Sequence, residues 1–155
     1  MFKIQNSTLF LIFLLQFSFL VQSKNKTNEI KSNVIVGANQ ISEYENLLKD
    51  PLTVITQDAY GFAIGRLIDD EAELLMIAIV QERQGLGNGK QHLQLFEAIV
   101  TRKGAKFCFL EVSESNINAR ALYQAQNFKE IGRLKAYYQI HENHRMDAII
   151  MRKSF

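Results

Sequence analysis

The chain has 155 residues, enough for one domain with a hydrophobic core and too few for two ordinary ones. Charged residues make up 22% and the formal net charge is only +2, which excludes the strong basic field of a protein that binds nucleic acid directly. One cysteine, Cys108, excludes an internal disulfide, and its place in Phe107-Cys108-Phe109-Leu110 suits a small buried residue in a reducing compartment better than a catalytic thiol.

The first segment differs from the rest. Lys3 is followed by a nearly continuous apolar run from Leu9 to Val21, broken only by Gln16 and Ser18. A basic start, a short apolar stretch and Val21-Gln22-Ser23 resemble a signal peptide more than a spanning helix, which needs about 20 apolar residues. An amphipathic or buried helix is the alternative, and membrane contact through residues 9–21 is a third. From Lys24 to Asn33 the composition turns to Lys, Asn, Thr and Ser, a solvated linker with little to bury. Residues 1–33 are therefore set apart from a domain over residues 34–155.

Ser42-Glu43-Tyr44-Glu45 has capping-box spacing and precedes Leu47-Leu48, with a stop at Asp50-Pro51, so a short helix is expected. Leu52 to Thr56, Tyr60 to Ile68 and Glu73 to Ile79 are β-rich runs separated by turns, most simply three consecutive antiparallel strands. After a glycine-rich segment, Leu93, Phe96 and Val100 recur at helical spacing, with Leu95 and Ile99 alongside, and the helix ends at Lys103-Gly104. His92, early in that helix, is expected at the surface or partly buried. Phe107 to Val112 reads as a buried strand, Asn116 as the cap of a helix through about Gln126, and Ile131 to Tyr138 with Met146 to Met151 as a closing strand pair.

The segment Gln84-Gly85-Leu86-Gly87-Asn88-Gly89-Lys90 stands between a strand and a helix, where backbone N–H groups and a helix N-terminus can meet a pyrophosphate. It contains two Gly-x-Gly registers. The second places Gln84 three residues before Gly87 and Lys90 directly after Gly89, giving Gln-x-x-Gly-x-Gly-Lys with a cation near the phosphate. A Walker loop is excluded by spacing and by Gln91, which lacks the metal-facing hydroxyl; a Rossmann fingerprint fails because no βαβ unit opens there. Glu111 follows Gly87 by 24 residues and Tyr123 comes twelve later, a carboxylate and a phenol able to serve as base and acid. Read alone, Glu111 also suits an ion pair at a strand end, and Tyr123 a core-covering helix residue.

These features resemble the GCN5-related N-acetyltransferases, and within them the bacterial ribosomal-protein-alanine enzymes. The resemblance runs from about Ile41 to Arg152 on Gly61-Phe62-Ala63-Ile64, Asp70-Glu71-Ala72-Glu73-Leu74-Leu75, Ile77-Ala78-Ile79, the glycine loop, Leu110-Glu111-Val112, Ser115-Asn116, Ala121-Leu122-Tyr123, Tyr137-Tyr138 and Asp147-Ala148-Ile149-Ile150-Met151. It implies an α/β (α+β) fold with a mixed, mainly antiparallel sheet flanked by helices. It further implies acetyl transfer from acetyl-CoA, without a metal, to a protein N-terminal amine, such as alanine of a small-subunit ribosomal protein, in the cytoplasm. By the same resemblance Gln84, Gly87, Asn88, Gly89 and Lys90 hold the pyrophosphate and the edge of Ile77, Ala78 and Ile79 holds pantetheine and the acetyl carbonyl. Asn116 adds a pantetheine contact to its capping role, Glu111 is the general base and Tyr123 the general acid.

Tyr137 and Tyr138 suit a peptide-binding wall, with core packing the alternative for either ring. Glu73 is the reserve base. His141-Glu142-Asn143-His144 reads as a loop rather than a metal site. Gln81 stands where the family commonly has proline, Ile41 where it has tryptophan, and Asn127 where it has glycine, a position that asparagine tolerates in the left-handed conformation. Acetylation of another amine, on lysine or a small molecule, and a non-catalytic acyl-CoA-binding domain are the competing readings.

Overall fold

Three short β-hairpin-compatible runs begin the described fold, each apolar on one face and separated by Asp-containing turns. The structure, a computed structural model, describes residues 47, 49–141 and 144–155. Residues 1–33 lie outside these, as do Glu142 and Asn143 and the side chains of His141 and His144, on which the leader and metal readings fall. Of the helix expected after Ser42, Leu47 and Lys49 are described and are helical. The architecture that follows is that of the unit Pro51–Phe155.

Strands β1 (Thr53–Gln57), β2 (Gly61–Ile68) and β3 (Glu71–Ile79) pair antiparallel in sequence order, as their turns dictate. A short 3-10 turn (Gln81–Arg83) leads to α1 (Asn88–Arg102), which returns the chain to β4 (Phe107–Ser113), paired parallel to β3. Helix α2 (Ile117–Ala125) then leads to the hairpin of β5 (Lys129–His141) and β6 (His144–Ser154). Strand β6 inserts between β4 and β5, so the six-stranded sheet has the order β1-β2-β3-β4-β6-β5. The expected mixed, mainly antiparallel α/β architecture is the one observed.

Helix α1 carries Leu93, Phe96 and Val100 on one stripe, all fully buried, against Val54, Ala63, Ala72 and Leu74 of the first three strands. Each such side chain contributes about 1.5–3 kcal/mol by leaving water. Cys108, Leu110 and Val112 alternate along β4 into the same core, with Tyr123 and Phe128. Burial first, and then the Glu97 carboxylate, push the Cys108 thiol up to about 12, which makes it inert as expected.

His92 differs from the expectation. It is 1% exposed, because it stands one turn before Phe96 on the inward stripe. Its Nδ1 lies 3.2 Å from the Thr56 hydroxyl and its Nε2 3.3 Å from an Asp58 carboxylate oxygen. That oxygen also accepts from the Tyr60 and Gly61 N–H groups at 2.7 and 2.9 Å, closing the β1–β2 turn. Burial works to raise the Asp58 carboxyl, but those N–H groups and His92 outweigh it and hold the acid below its ordinary range. Leu95 also departs from its neighbours, at 47% exposure.

Candidate active site

Two irregularities in the sheet create the site. The β2–β3 register shifts between Ile64↔Met76 and Gly65↔Leu74, leaving Leu75 as an extra residue on β3. At the same point the β3–β4 pairing, which runs from Glu71↔Phe107 to Leu74↔Leu110, ends. Beyond it the two strands have no ladder between them, although β4 continues against β6 through Ser113↔Ala148.

The bond from the Val80 N–H to the Tyr60 carbonyl, 2.8 Å, fixes which groups of β3 face β2. Alternation along an antiparallel pair then turns the main-chain groups of Ile77 and Ile79 toward the opening. An extended acyl chain entering there can complete the ladder that β4 does not, which fits pantetheine along Ile77, Ala78 and Ile79.

The glycine loop lies at the same end of β3. Gly87 is the N-cap of α1 with φ 87° and no capping side chain, and the first helical bond runs from the Gln91 N–H to the Gly87 carbonyl at 3.0 Å. The N–H groups of Asn88, Gly89 and Lys90 therefore open the helix without intrahelical acceptors. A Cβ on Gly87 would meet nothing within 4 Å, so its glycine is required by the left-handed backbone rather than by crowding. An exposed Lys90 adds positive charge. This fits a pyrophosphate in the second register.

Two side chains of the loop bond to its own backbone. The Gln84 amide donates to the Ile79 carbonyl at 3.0 Å, and the Asn88 amide donates to the Arg83 carbonyl at 2.8 Å. Arg83 itself stacks over Tyr60, 4.2 Å from the ring centre. These three braces stiffen the turn around Gln81.

Helix α2 forms the far wall. The Asn116 carboxamide oxygen accepts from the Ala119 N–H at 3.1 Å, so the expected cap is present. Leu122 would lie 3.4 Å from a Cβ on Gly89, which brings α2 against the start of α1. Asn127 ends this segment at φ 68°, as its tolerance of that conformation allows.

Glu111 and Tyr123 lie on opposite faces of the sheet. Tyr123 packs with Cys108, Leu110 and Val112, whereas alternation sends the Glu111 side chain to the other face of β4. Burial, followed by the influence of Tyr138 and Cys108, raises the Tyr123 phenol well above its ordinary range, so it holds its proton. Glu111 lines a cleft of about 290 Å³ with Ile68, Glu71, Glu73, Phe109 and Ile150. Burial first, and the Glu111 charge second, raise the Glu73 carboxyl, against the opposing charge of Arg66. The reserve base thus sits beside the first candidate.

The charge of Glu111 bears on Tyr137 as well. Burial, then hydrogen bonding to the Glu111 carboxylate and its charge, push the Tyr137 phenol far above its ordinary range. Tyr137 and Tyr138 stand edge to face with ring centres 5.1 Å apart. The electrostatic link between Tyr137 and the candidate base is one that sequence spacing did not reveal.

Strands β3 and β4 part beyond Leu74↔Leu110, the bare N-terminus of α1 lies at that end of β3, and Glu111 lines a cleft between the same two strands. Residues 31–128 match the acetyltransferase (GNAT) family. The chain belongs to that family. As a GNAT acetyltransferase it shares 37% identity over 113 residues with the [ribosomal protein bS18]-alanine N-acetyltransferase of Haemophilus influenzae, covering 73% of this chain and 74% of that protein. Its identity to the Salmonella typhimurium enzyme of the same description is 39% over 114 residues, 73% of each chain. The crystal structure of the ribosomal-protein-S18-alanine N-acetyltransferase from Escherichia coli superposes with a TM-score of 0.67 at 26% identity, over 90% of this chain and 86% of that one. The chain is accordingly an acetyl-CoA-dependent N-acetyltransferase. Among the described residues no helix is long and apolar enough to cross a membrane, and no group of His, Cys, Asp and Glu is arranged to hold a metal.

Proposed function

We propose that this GNAT enzyme acetylates the N-terminal amine of a protein, alanine on a small-subunit ribosomal protein, in the cytoplasm where acetyl-CoA and ribosomal proteins meet. The observation that carries the reading is the parting of β3 and β4 beyond Leu74 with the bare N-terminus of α1 at the same end of β3, together with relatives named for that acceptor.

Gly87, Asn88, Gly89 and Lys90 bind the pyrophosphate, and the β3 edge at Ile77 to Ile79 aligns the thioester. An α-amino group has a pKa of about 8, so it arrives mostly as ammonium and must lose a proton before attack. Glu111 takes that proton, directly or through water. The amine nitrogen then attacks the thioester carbonyl, the carbon–sulfur bond breaks as the tetrahedral intermediate collapses, the sulfur receives a proton from Tyr123, and the second proton that the nitrogen loses on becoming an amide restores the Tyr123 phenol through water. The products are the N-acetyl amide, CoA and the proton held by Glu111, with no acyl-enzyme. Glu71 and Glu73 lend the amine side of the cleft an anionic character suited to a cationic N-terminus.

Acetyl transfer to a panel of peptides, read by mass, tests this reading. Free N-terminal alanine peptides should gain one acetyl group and N-terminally blocked ones none. Equal modification of blocked lysine-containing peptides would replace the N-terminal reading with a side-chain one, and acetyl-CoA binding without any turnover would leave only a binding domain.

A further inference from the structure

The start of α1 is tied to the sheet by a side chain that the acetyl transfer itself does not use. His92 is buried, its Nδ1 lies 3.2 Å from the Thr56 hydroxyl near the end of β1, and its Nε2 lies 3.3 Å from Asp58 Oδ1 in a close contact off the line of a directed hydrogen bond. A Cβ on Gly61 would stand 3.3 Å from His92 Cδ2 and 2.6 Å from the Ala78 carbonyl, so glycine is what lets the ring and the β3 backbone come this close to β2. From Asp58 the contacts run back to the helix. Its Oδ1 accepts from the Tyr60 N–H at 2.7 Å, the Tyr60 ring carries the Arg83 guanidinium 4.2 Å from its centre, and the Arg83 carbonyl accepts from the Asn88 side-chain amide at 2.8 Å. Asn88 is the first residue of α1, so a closed circuit leaves the helix at His92 and re-enters it one turn earlier, around the N–H groups of Asn88, Gly89 and Lys90.

We infer that His92 is a positioning residue for acetyl-CoA: by bonding Thr56 beside Asp58 it fixes the start of α1 along the sheet, and with it the three N–H groups that meet the pyrophosphate. Its neighbours on the inward stripe, Leu93, Phe96 and Val100, hold the helix by apolar contact, which is not directional and leaves it free to slide. A hydrogen bond is short-ranged and directional, and so sets a register. A buried imidazole also needs partners that a leucine in the same place would not. His92 touches no substrate and acts through α1. This role rests on the reading of the glycine loop as the pyrophosphate cradle, so Gly87→Ala belongs in its test.

NMR titration of the full-length chain, which reaches weak binding, compares acetyl-CoA with S-acetyl-pantetheine, a donor that lacks the pyrophosphate and the nucleotide. His92→Leu, which fills the place without the bonds, should raise the acetyl-CoA Kd about tenfold, the loss expected on weakening one bond to a charged group, and leave the S-acetyl-pantetheine Kd native. Thr56→Val, which keeps the shape and removes the hydroxyl, should do the same, and the double variant should be no worse than His92→Leu alone. His92→Asn should go the other way. Its amide still reaches the Thr56 hydroxyl although it fills the core less well, so it should melt below His92→Leu yet bind acetyl-CoA more tightly. If His92→Leu does not fold, Thr56→Val carries the same comparison of donors.

In steady state the KM for acetyl-CoA should rise with the Kd in His92→Leu while kcat at saturation stays near native. Native acetyl-CoA affinity in His92→Leu and Thr56→Val, equal losses for the two donors, or affinities that simply follow melting temperature through His92→Leu and His92→Asn would overturn the inference. Gly87→Ala separates that failure from failure of the cradle. If Gly87→Ala weakens acetyl-CoA binding and His92→Leu does not, the cradle stands and His92 is a core residue only; if neither weakens it, the loop reading falls together with the role of His92.

Discussion

Gly87→Ala separates the backbone of the glycine loop from every other property of this enzyme. Gly87 has φ 87° and open space around a Cβ, so an alanine there meets no clash and acts only through the cost of a left-handed L-residue, about 1–2 kcal/mol. Gly104, at φ 106° and equally open, carries the same liability at the other end of α1. The helix has 15 residues, which places this internal control about 22 Å away. In a chain of this size each kcal/mol lowers Tm by about 2–4 °C, so both variants should melt about 2–8 °C below the native protein. Their affinities should diverge. If the N–H groups after Gly87 hold the pyrophosphate, misplacing one loses a charge-assisted bond of about 1.5–3 kcal/mol. At about 1.4 kcal/mol per decade, acetyl-CoA Kd then rises about 10- to 100-fold in Gly87→Ala and stays native in Gly104→Ala. Calorimetric titration with acetyl-CoA, alongside thermal unfolding, reads both quantities. Equal Tm losses with equal, native Kd values would refute the loop as the phosphate cradle.

Glu111→Gln and Tyr123→Phe should each reduce kcat by about 10²-fold or more while acetyl-CoA binding stays near native, and native rates in single-turnover assays would remove them from the chemistry. The Glu97–Lys153 pair, 2.7 Å apart with side chains 11% and 18% exposed, ties α1 to β6. Lys153→Met alone should cost about 3 kcal/mol in urea unfolding because Glu97 is left buried and unpaired, whereas Glu97→Leu with Lys153→Met should recover most of it. Glu73 supplies a pH test. Its carboxyl is raised by burial and by Glu111, so the folded state binds the proton more tightly and ionised Glu73 opposes folding above that raised pKa. Glu73→Gln should therefore increase Tm at neutral pH, with the gain vanishing in acid once Glu73 is protonated in folded and unfolded chains alike; a constant gain across pH would exclude a charge effect.

What could be read in the sequence is what short stretches of chain determine. Gly87 is the N-cap, where glycine takes a left-handed turn without strain immediately before three helical N–H donors, and it heads the Gly-x-Gly register that the spacing of Gln84 and Lys90 favours. Asn116 and Asn127 are likewise local: one caps α2 through its own carboxamide, and the other ends the segment at a positive φ. His92 escaped because polarity was weighed above phase. It lies on the Phe96 stripe, and its partners, Thr56 and Asp58, are 36 and 34 positions away (92 − 56 and 92 − 58), at the end of β1 and in the turn after it, where nothing in the sequence signalled a buried partner.

The remainder of the site depends on register, which composition does not encode. Glu73 and Glu111 share a cleft because Glu73 stands opposite Phe109 across the parallel β3–β4 pair; a slip of one residue would turn either side chain to the other face. The Leu75 bulge ends that pairing and creates the opening, yet Leu74-Leu75-Met76 reads as an ordinary apolar strand. The three-residue bulge at Lys135, Ala136 and Tyr137 is similarly silent, since alanine is not a residue that announces a positive φ. Its sign is the aspartate on the opposite strand: Asp147 precedes the apolar run Ala148-Ile149-Ile150-Met151, where a carboxylate beside a core strand needs donors to meet it. Those donors are the Ala136 N–H and Arg133, and meeting them holds the bulge with Ala136 in its left-handed conformation.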